Sequence, residues 1–97
     1  DLAGRLADSH TGTINVDCSW RDMGWVMRHL TEEHADELEA VSDGVKIRHP
    51  EGGWTYVVPA SGEPVLRVYV EAENEGQVQE ILEQSRRSLV RMIREAG

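Results

Sequence analysis

Polar and apolar residues alternate from Thr11 to Cys18 ("TGTINVDC"), with Ile14 and Val16 set between polar neighbours, which predicts a short strand. The period then lengthens. Trp20, Met23, Met27 and Leu30 recur at helical spacing, with Val26 widening the stripe, so a helix should follow and run to about Glu33 or Ala35. Ser19 is placed to cap it, with Asp22 three residues on as an imperfect capping box. Gly24 inside the helix costs about 1 kcal/mol against alanine, which suggests close packing at that point. The Trp and Met stripe reads as core rather than as a cofactor box.

From Leu38 the period shortens again. "LEAVSDGVKIRH" carries an Asp43-Gly44 pair, then Val45 and Ile47 on one face with Lys46 and Arg48 on the other. "PEGG" at 50–53 is a turn and "WTYVV" returns as a strand, so Val45 to Val58 reads as a hairpin. A later strand places Leu66, Val68 and Val70 on one face and Val65, Arg67 and Tyr69 on the other, as in a sheet covered on one side only. Asn74 opens the last helix with Gln77 in the reciprocal capping position. Val78, Ile81, Leu82, Ser85, Leu89, Met92 and Ile93 form its apolar stripe. The predicted order is β-α-β-β-β-α: an α+β domain with two helices packed on one face of a small antiparallel sheet.

Length makes this one domain, residues 1–97, with 1–10 as a lead-in segment. The first residues, "DLAGRLADSH", have neither the basic start nor the apolar centre of a signal peptide, and a start without Met fits a piece of a longer chain. No window reaches the ~18 consecutive apolar residues of a membrane span. A net charge of −8 opposes binding to nucleic-acid backbones, which depends on clustered Lys and Arg. Cys18 is the single cysteine, which excludes an internal disulfide and fits a reducing, cytoplasmic setting; its apolar surroundings predict a buried, inert thiol.

The search for catalytic chemistry finds no complete site. A hydrolytic triad needs a nucleophile, a base and an orienting group. Ser61 is the one serine in a suggestive loop, and no histidine is placed by sequence to pair with it. His29 and Glu33 share a helical face at i and i+4, with His34 following, but the set lacks the spacing of a zinc helix. The last helix carries Glu75, Glu80 and Glu83 in its first half and Arg86, Arg87, Arg91 and Arg94 in its second. That polarity complements the helix dipole and accounts for the arginines without a ligand.

The connection "PASGEP", Pro59 to Pro64, remains unexplained by fold alone. A hairpin needs only about two to five loop residues, and this one is stiffened by proline at both ends. It reads either as a rigid connection or as a loop presenting N–H groups and a hydroxyl to an anion. "DGVKI", then a turn and "GW", then "P…EPVLRVYVEAE" and an amphipathic helix, resembles the C-terminal domain of the α-D-phosphohexomutases, the phosphomannomutase and phosphoglucomutase enzymes. "CSWRDMGWVMRHL" extends the resemblance upstream, so that it covers about Ile14 to Ile93.

The resemblance implies a TATA-binding-protein-like fold, acting as the fourth domain of an isomerase of carbohydrate metabolism. It implies that the phosphoserine nucleophile and the Mg²⁺ ligands lie in other domains. No catalytic residue, metal ligand or cofactor is then expected in this one. Its expected partners are a hexose 1- or 6-phosphate together with the preceding domains, and neither nucleic acid nor membrane. The family grips the substrate phosphate with a loop of pattern R-P-S-G/N-T-E-P. Aligned on Glu63-Pro64, that loop covers Pro59, Ala60, Ser61, Gly62, Glu63 and Pro64. Pro59, Glu63 and Pro64 match. The family arginine falls on Val58, the serine on Ala60, the small residue on Ser61 and the threonine on Gly62. Ser61 and the amides of Ser61, Gly62 and Glu63 remain as anion donors, without the guanidinium that bonds phosphate in bidentate fashion. Three roles are compatible with this pattern: the last domain of a mutase with an altered loop, a mutase-like domain fused to a mannose-1-phosphate guanylyltransferase, or an interaction domain without sugar-phosphate binding.

Overall fold

Strand β1 (His10–Asp17) follows the predicted alternation and takes in His10, assigned above to the lead-in. The computed structural model describes residues 10–39, 44–50 and 52–97; the rest of the lead-in and Asp43 of the predicted Asp-Gly pair lie outside it. Ser19 caps helix α1 (Trp20–Glu33), its hydroxyl accepting a hydrogen bond from the Asp22 N–H at 3.3 Å. That contact satisfies one of the donors a helix start leaves unpaired. Met23, Val26 and Leu30 are buried as the stripe requires.

Two expectations for α1 are corrected. Trp20 is 58% exposed, not core. It is the first helical residue, and the buried positions begin only at Met23, one turn further on. Gly24 is exposed, and a β-carbon there would meet nothing within 4 Å, so packing does not require glycine.

A short 3₁₀ turn (Ala35–Glu37) leads to β2 (Leu38–Glu39), a two-residue strand that no periodicity could reveal. β3 (Val45–Arg48) and β4 (Trp54–Pro59) form the predicted hairpin, and β5 (Val65–Ala72) follows. The sheet order is β1-β5-β4-β3-β2 with every pair antiparallel. Four of the strands are those expected and β2 adds a short edge beside β3.

Alternation divides the sheet into two faces. Val16, Val45, Ile47, Val57, Leu66, Val68, Val70 and Ala72 are buried on one, against both helices. Thr55 joins them as a buried hydroxyl, 2.6 Å from Nε2 of His49. The opposite face carries no helix among the described residues. Lys46, Tyr56, Val58, Arg67 and Tyr69 are half-buried on it, while Thr13, Asn15, Asp17 and Arg48 are exposed.

Helix α2 (Glu75–Ala96) is capped by Asn74, whose Oδ1 accepts from the Gln77 N–H at 2.8 Å. The Gln77 side chain reaches back as expected, but its Oε1 accepts from the N–H of Glu73, one residue before the cap. Val78, Leu82, Leu89 and Met92 are buried, while Ile81, Ser85 and Ile93 flank them half-buried. α2 presses on β1 at Gly12, where a β-carbon would lie 2.7 Å from Cγ1 of Val78 and 2.8 Å from Cδ1 of Leu82. The side-chain-free position lets strand and helix approach. Three of the four arginines of α2 form ion pairs: Glu83 pairs with Arg86 at 2.5 Å and Arg87 at 2.9 Å, and Arg91 with Glu33 of α1 at 3.2 Å. Among the described residues no helix is long and apolar enough to cross a membrane.

Leu82 tests this packing. It is 5% exposed. Leu82→Ala should cost about 2–5 kcal/mol in reversible chemical denaturation. A loss below about 0.5 kcal/mol, typical of surface positions, would displace the helix register.

Candidate functional site

The β4–β5 connection is held at its base by strand pairing. Pro59, assigned above to the loop, is the last residue of β4 and pairs with Leu66. Proline has no N–H to donate, and the end of a strand is where that omission is tolerated. Ala60 is also less available than expected. It is buried, and its N–H donates to the Val65 carbonyl at 2.9 Å. The Val65 N–H donates to the Glu63 carbonyl at 2.8 Å, closing a tight turn. Gly62 enters that turn with φ +78°, a left-handed conformation that costs glycine nothing.

Four of the six candidate residues reach solvent: Ser61, Gly62, Glu63 and Pro64 are exposed. Residues 61–62 form a hydrogen-bonded turn that engages the Glu63 N–H, while the N–H groups of Ser61 and Gly62 make no backbone hydrogen bond among those of the described residues. With the Ser61 hydroxyl they form a compact set of donors at one end of the sheet. Successive N–H groups around a left-handed residue are the kind of concavity that holds an anion. The one formal charge within the loop is the Glu63 carboxylate, which opposes an anion.

The loop is joined to its surroundings by a second tie. The Cys18 N–H donates to the Pro64 carbonyl at 2.9 Å, linking the loop to the start of α1. Trp20 stands exposed in the first turn of that helix. Val58, the position of the family arginine, is half-buried, and strand alternation puts it on the helix-free face, opposite to buried Val57. It is therefore outside the main core. Its cross-strand partner is Arg67, whose Nε–H donates to Oδ1 of Asn15 on β1 at 3.3 Å. Sequence reading placed Arg67 on the partly wet face of its strand; its position opposite Val58 follows only from the pairing register.

The histidines weighed for a metal are engaged in packing and polar contacts. His29 stacks on Trp25 with ring centroids 3.9 Å apart and planes at 17°, while Glu33 holds Arg91. His34 Nδ1 lies 3.0 Å from Glu37. No three His, Cys, Asp or Glu side chains among the described residues converge as a metal site. A separate groove of about 250 Å³ lies on the helix side, floored by Leu30, Ile47, Val57 and Leu89 and edged by His34 and His49. It does not include the loop.

These features define a class: an α+β layer domain that presents one rigid polar turn and, among the described residues, no complete set of reacting groups. A family model for the phosphoglucomutase/phosphomannomutase C-terminal domain matches residues 14–88. The chain belongs to that family. No curated protein gives a significant match.

Cys18 shares this end of the fold, but its thiol is buried at 2% exposure. Burial first, and the Asp22 carboxylate second, push its pKa above the ordinary thiol value. Reaction requires the thiolate, so Cys18 should be inert in the native protein. A disulfide reagent should label it only as fast as the fold opens, and promptly in denaturant. Immediate labelling without denaturant would place the thiol at the surface.

Proposed function

We propose that the chain is the substrate-phosphate-binding, cleft-closing domain of a sugar-phosphate mutase that interconverts hexose 1- and 6-phosphates. The observation that carries this reading is the exposed turn at Ser61–Glu63, with the Ser61 and Gly62 N–H groups outside the turn's backbone hydrogen bonds. Aligned on Glu63-Pro64, this turn corresponds to the phosphate loop that the family resemblance implies, in a chain whose match to the family spans 14–88. In this reading the turn and the Ser61 hydroxyl hold the non-reacting phosphate and so fix the sugar's position. On the same reading the phosphorylated nucleophile and the Mg²⁺ ligands belong to other domains of the full enzyme, as the family resemblance implies.

Val58 in place of the family arginine favours a second reading. A degenerate mutase-like domain, fused to a guanylyltransferase or serving only as an interaction module, would keep the fold while relaxing the grip. Hydrogen bonds to charged groups contribute about 1.5–3 kcal/mol each, so exchanging arginine for valine removes a large part of phosphate affinity.

On its own the 97-residue chain should show no mutase activity. Phosphoryl transfer needs an acceptor and charge stabilisation. With glucose 1-phosphate, a bisphosphate activator and Mg²⁺, a coupled assay should remain at background; turnover that co-purifies with the chain would refute the reading.

Sugar-phosphate binding by the chain should be millimolar or weaker, equivalent to ~4 kcal/mol. Val58→Arg, on the half-buried helix-free face, should fold and strengthen it. Titration with mannose 6-phosphate should move the Ser61 and Gly62 amide resonances, more in the variant than in the parent. A folded variant in which only distant residues respond would leave the loop as a rigid connection.

A further inference from the structure

Strand β1 closes the sheet on one side, and its outer edge has no partner strand among the described residues. Which backbone groups face outward follows from one hydrogen bond. The Cys18 N–H donates to the Pro64 carbonyl at 2.9 Å, and this pair continues the β1–β5 register one step beyond Asp17 and Val65. Opposed residues of an antiparallel pair alternate between exchanging hydrogen bonds and exchanging none. His10, Gly12, Ile14 and Val16 therefore turn their N–H and C=O groups toward β5. Thr11, Thr13, Asn15 and Asp17 turn theirs outward. The bond from the Ala60 N–H to the Val65 carbonyl agrees: Val65 faces β4 and its neighbour Pro64 faces β1.

Open edges invite pairing with another chain, and proteins guard them with proline, lysine, bulges or extreme shortness. At the other side of the sheet the last device operates, since β2 has two residues. β1 has eight, with no proline, lysine or arginine and an unbroken register along β5. Its one carboxylate, Asp17, stands at its last position.

We infer that the outer edge of β1 is a self-association surface, on which a second copy of the chain lays its own β1 antiparallel about a two-fold axis through Ile14. The outward groups belong to odd positions, so only registers that oppose odd with odd form a ladder. Centring on Ile14 opposes Thr11 with Asp17 and Thr13 with Asn15 in both directions, which engages all the outward groups of both copies. An axis through Thr13 would leave Asp17 without a partner in the strand, and an axis through Asn15 would leave Thr11. Such an interface is isologous, one patch meeting itself.

The side chains fit this register. On the helix-free face, hydroxyl meets carboxylate at Thr11–Asp17 and hydroxyl meets amide at Thr13–Asn15, so no like charges are opposed. On the helix side, half-buried Ile14 meets its own copy in the close, non-hydrogen-bonded position. The two Asp17 carboxylates end six residues apart along the seam, about 20 Å, against a screening length of ~10 Å at 0.1 M salt. Helix α2 lies over β1 and β5, and its flank away from the groove carries the Glu83–Arg86 ion pair. Each copy thus shows the other both signs of charge. The Ser61–Glu63 turn adjoins the Asp17 end of β1, so the two-fold axis sends the two turns to opposite ends of the seam. Association through β1 leaves both turns open and is independent of the phosphate reading.

One pair of edge strands buries less than the ~1,600 Å² of a standard interface, so the dimer should be weak, forming between about 10 μM and 1 mM. Sedimentation of the 97-residue chain over that range should show a monomer–dimer equilibrium. Added salt should strengthen it, because each copy carries a net charge of −8. Within β1, amide hydrogen exchange should slow with concentration at Thr11, Thr13, Asn15 and Asp17, and not at the positions already bonded to β5. Thr13→Pro removes one outward N–H and leaves the β1–β5 ladder whole, so it should fold and weaken the dimer about tenfold or more. On oxidation Ile14→Cys should give an interchain disulfide and Thr13→Cys should not, because only position 14 meets itself at bonding distance. A chain that stays monomeric at 1 mM overturns the inference, as does a dimer that leaves the four odd amides exchanging as before. Cross-linking through Thr13→Cys instead overturns the axis. Odd amides protected equally at every concentration would mean that another segment of the same chain covers the edge, and the inference falls. Should Thr13→Pro fail to fold, the concentration dependence of exchange in the parent decides.

Discussion

Everything in this fold is positioned by the register of β5. Its eight residues pair with β1 along their full length and with β4 from Pro59–Leu66 to Trp54–Glu71. Leu66, Val68, Val70 and Ala72 alternate inward and are almost fully buried. Because side chains change face at every residue, a slip of one position would send all four to the helix-free side and bring Arg67 and Tyr69 into the core. Burying that charge without a partner would cost far more than the slip could return. The strand thus has one acceptable register, and the helices, the loop and the Val58–Arg67 row inherit it.

The candidate site sits where this constraint ends. At the loop the strands stop pairing, and the Ser61 and Gly62 N–H groups that a longer ladder would have consumed are left over. They are set close together by Gly62 and held by the hydrogen bond from Ala60 to Val65. Preorganised donors of this kind lose little entropy on meeting an anion. Their weakness is charge: a neutral turn containing one carboxylate can orient a phosphate but attracts it poorly.

Much of the architecture was legible in the residue pattern because burial enforces period. The inward positions of β5, the β3–β4 hairpin and the stripe of α2 all follow from it, and Ser19 and Asn74 mark the helix starts through cap chemistry that is local. What escaped reading is not periodic. β2 is too short to show a repeat. Trp20 fits the helical spacing of α1 but stands in its first turn, ahead of the buried positions. Gly24 looks like a packing device only if a neighbour is assumed, and none is there. The site was legible in part: the stiff, polar turn was visible in its prolines and glycine. The burial of Ala60 and the strand placement of Pro59 were not, since both depend on where pairing stops. That Arg67 stands opposite Val58 follows only from the pairing register.

The hydrogen bond from the Cys18 N–H to the Pro64 carbonyl looks minor, yet it settles how the loop can move. One end of the turn is pinned to β4 and β5, and the other to the junction between β1 and α1. A flap needs a free arc of chain with hinges at its ends, and this arc has neither. A ligand engaging Ser61 must therefore recruit the sheet and both helices with it, as a single lever. The loop's stiffness is converted into leverage over the whole described fold.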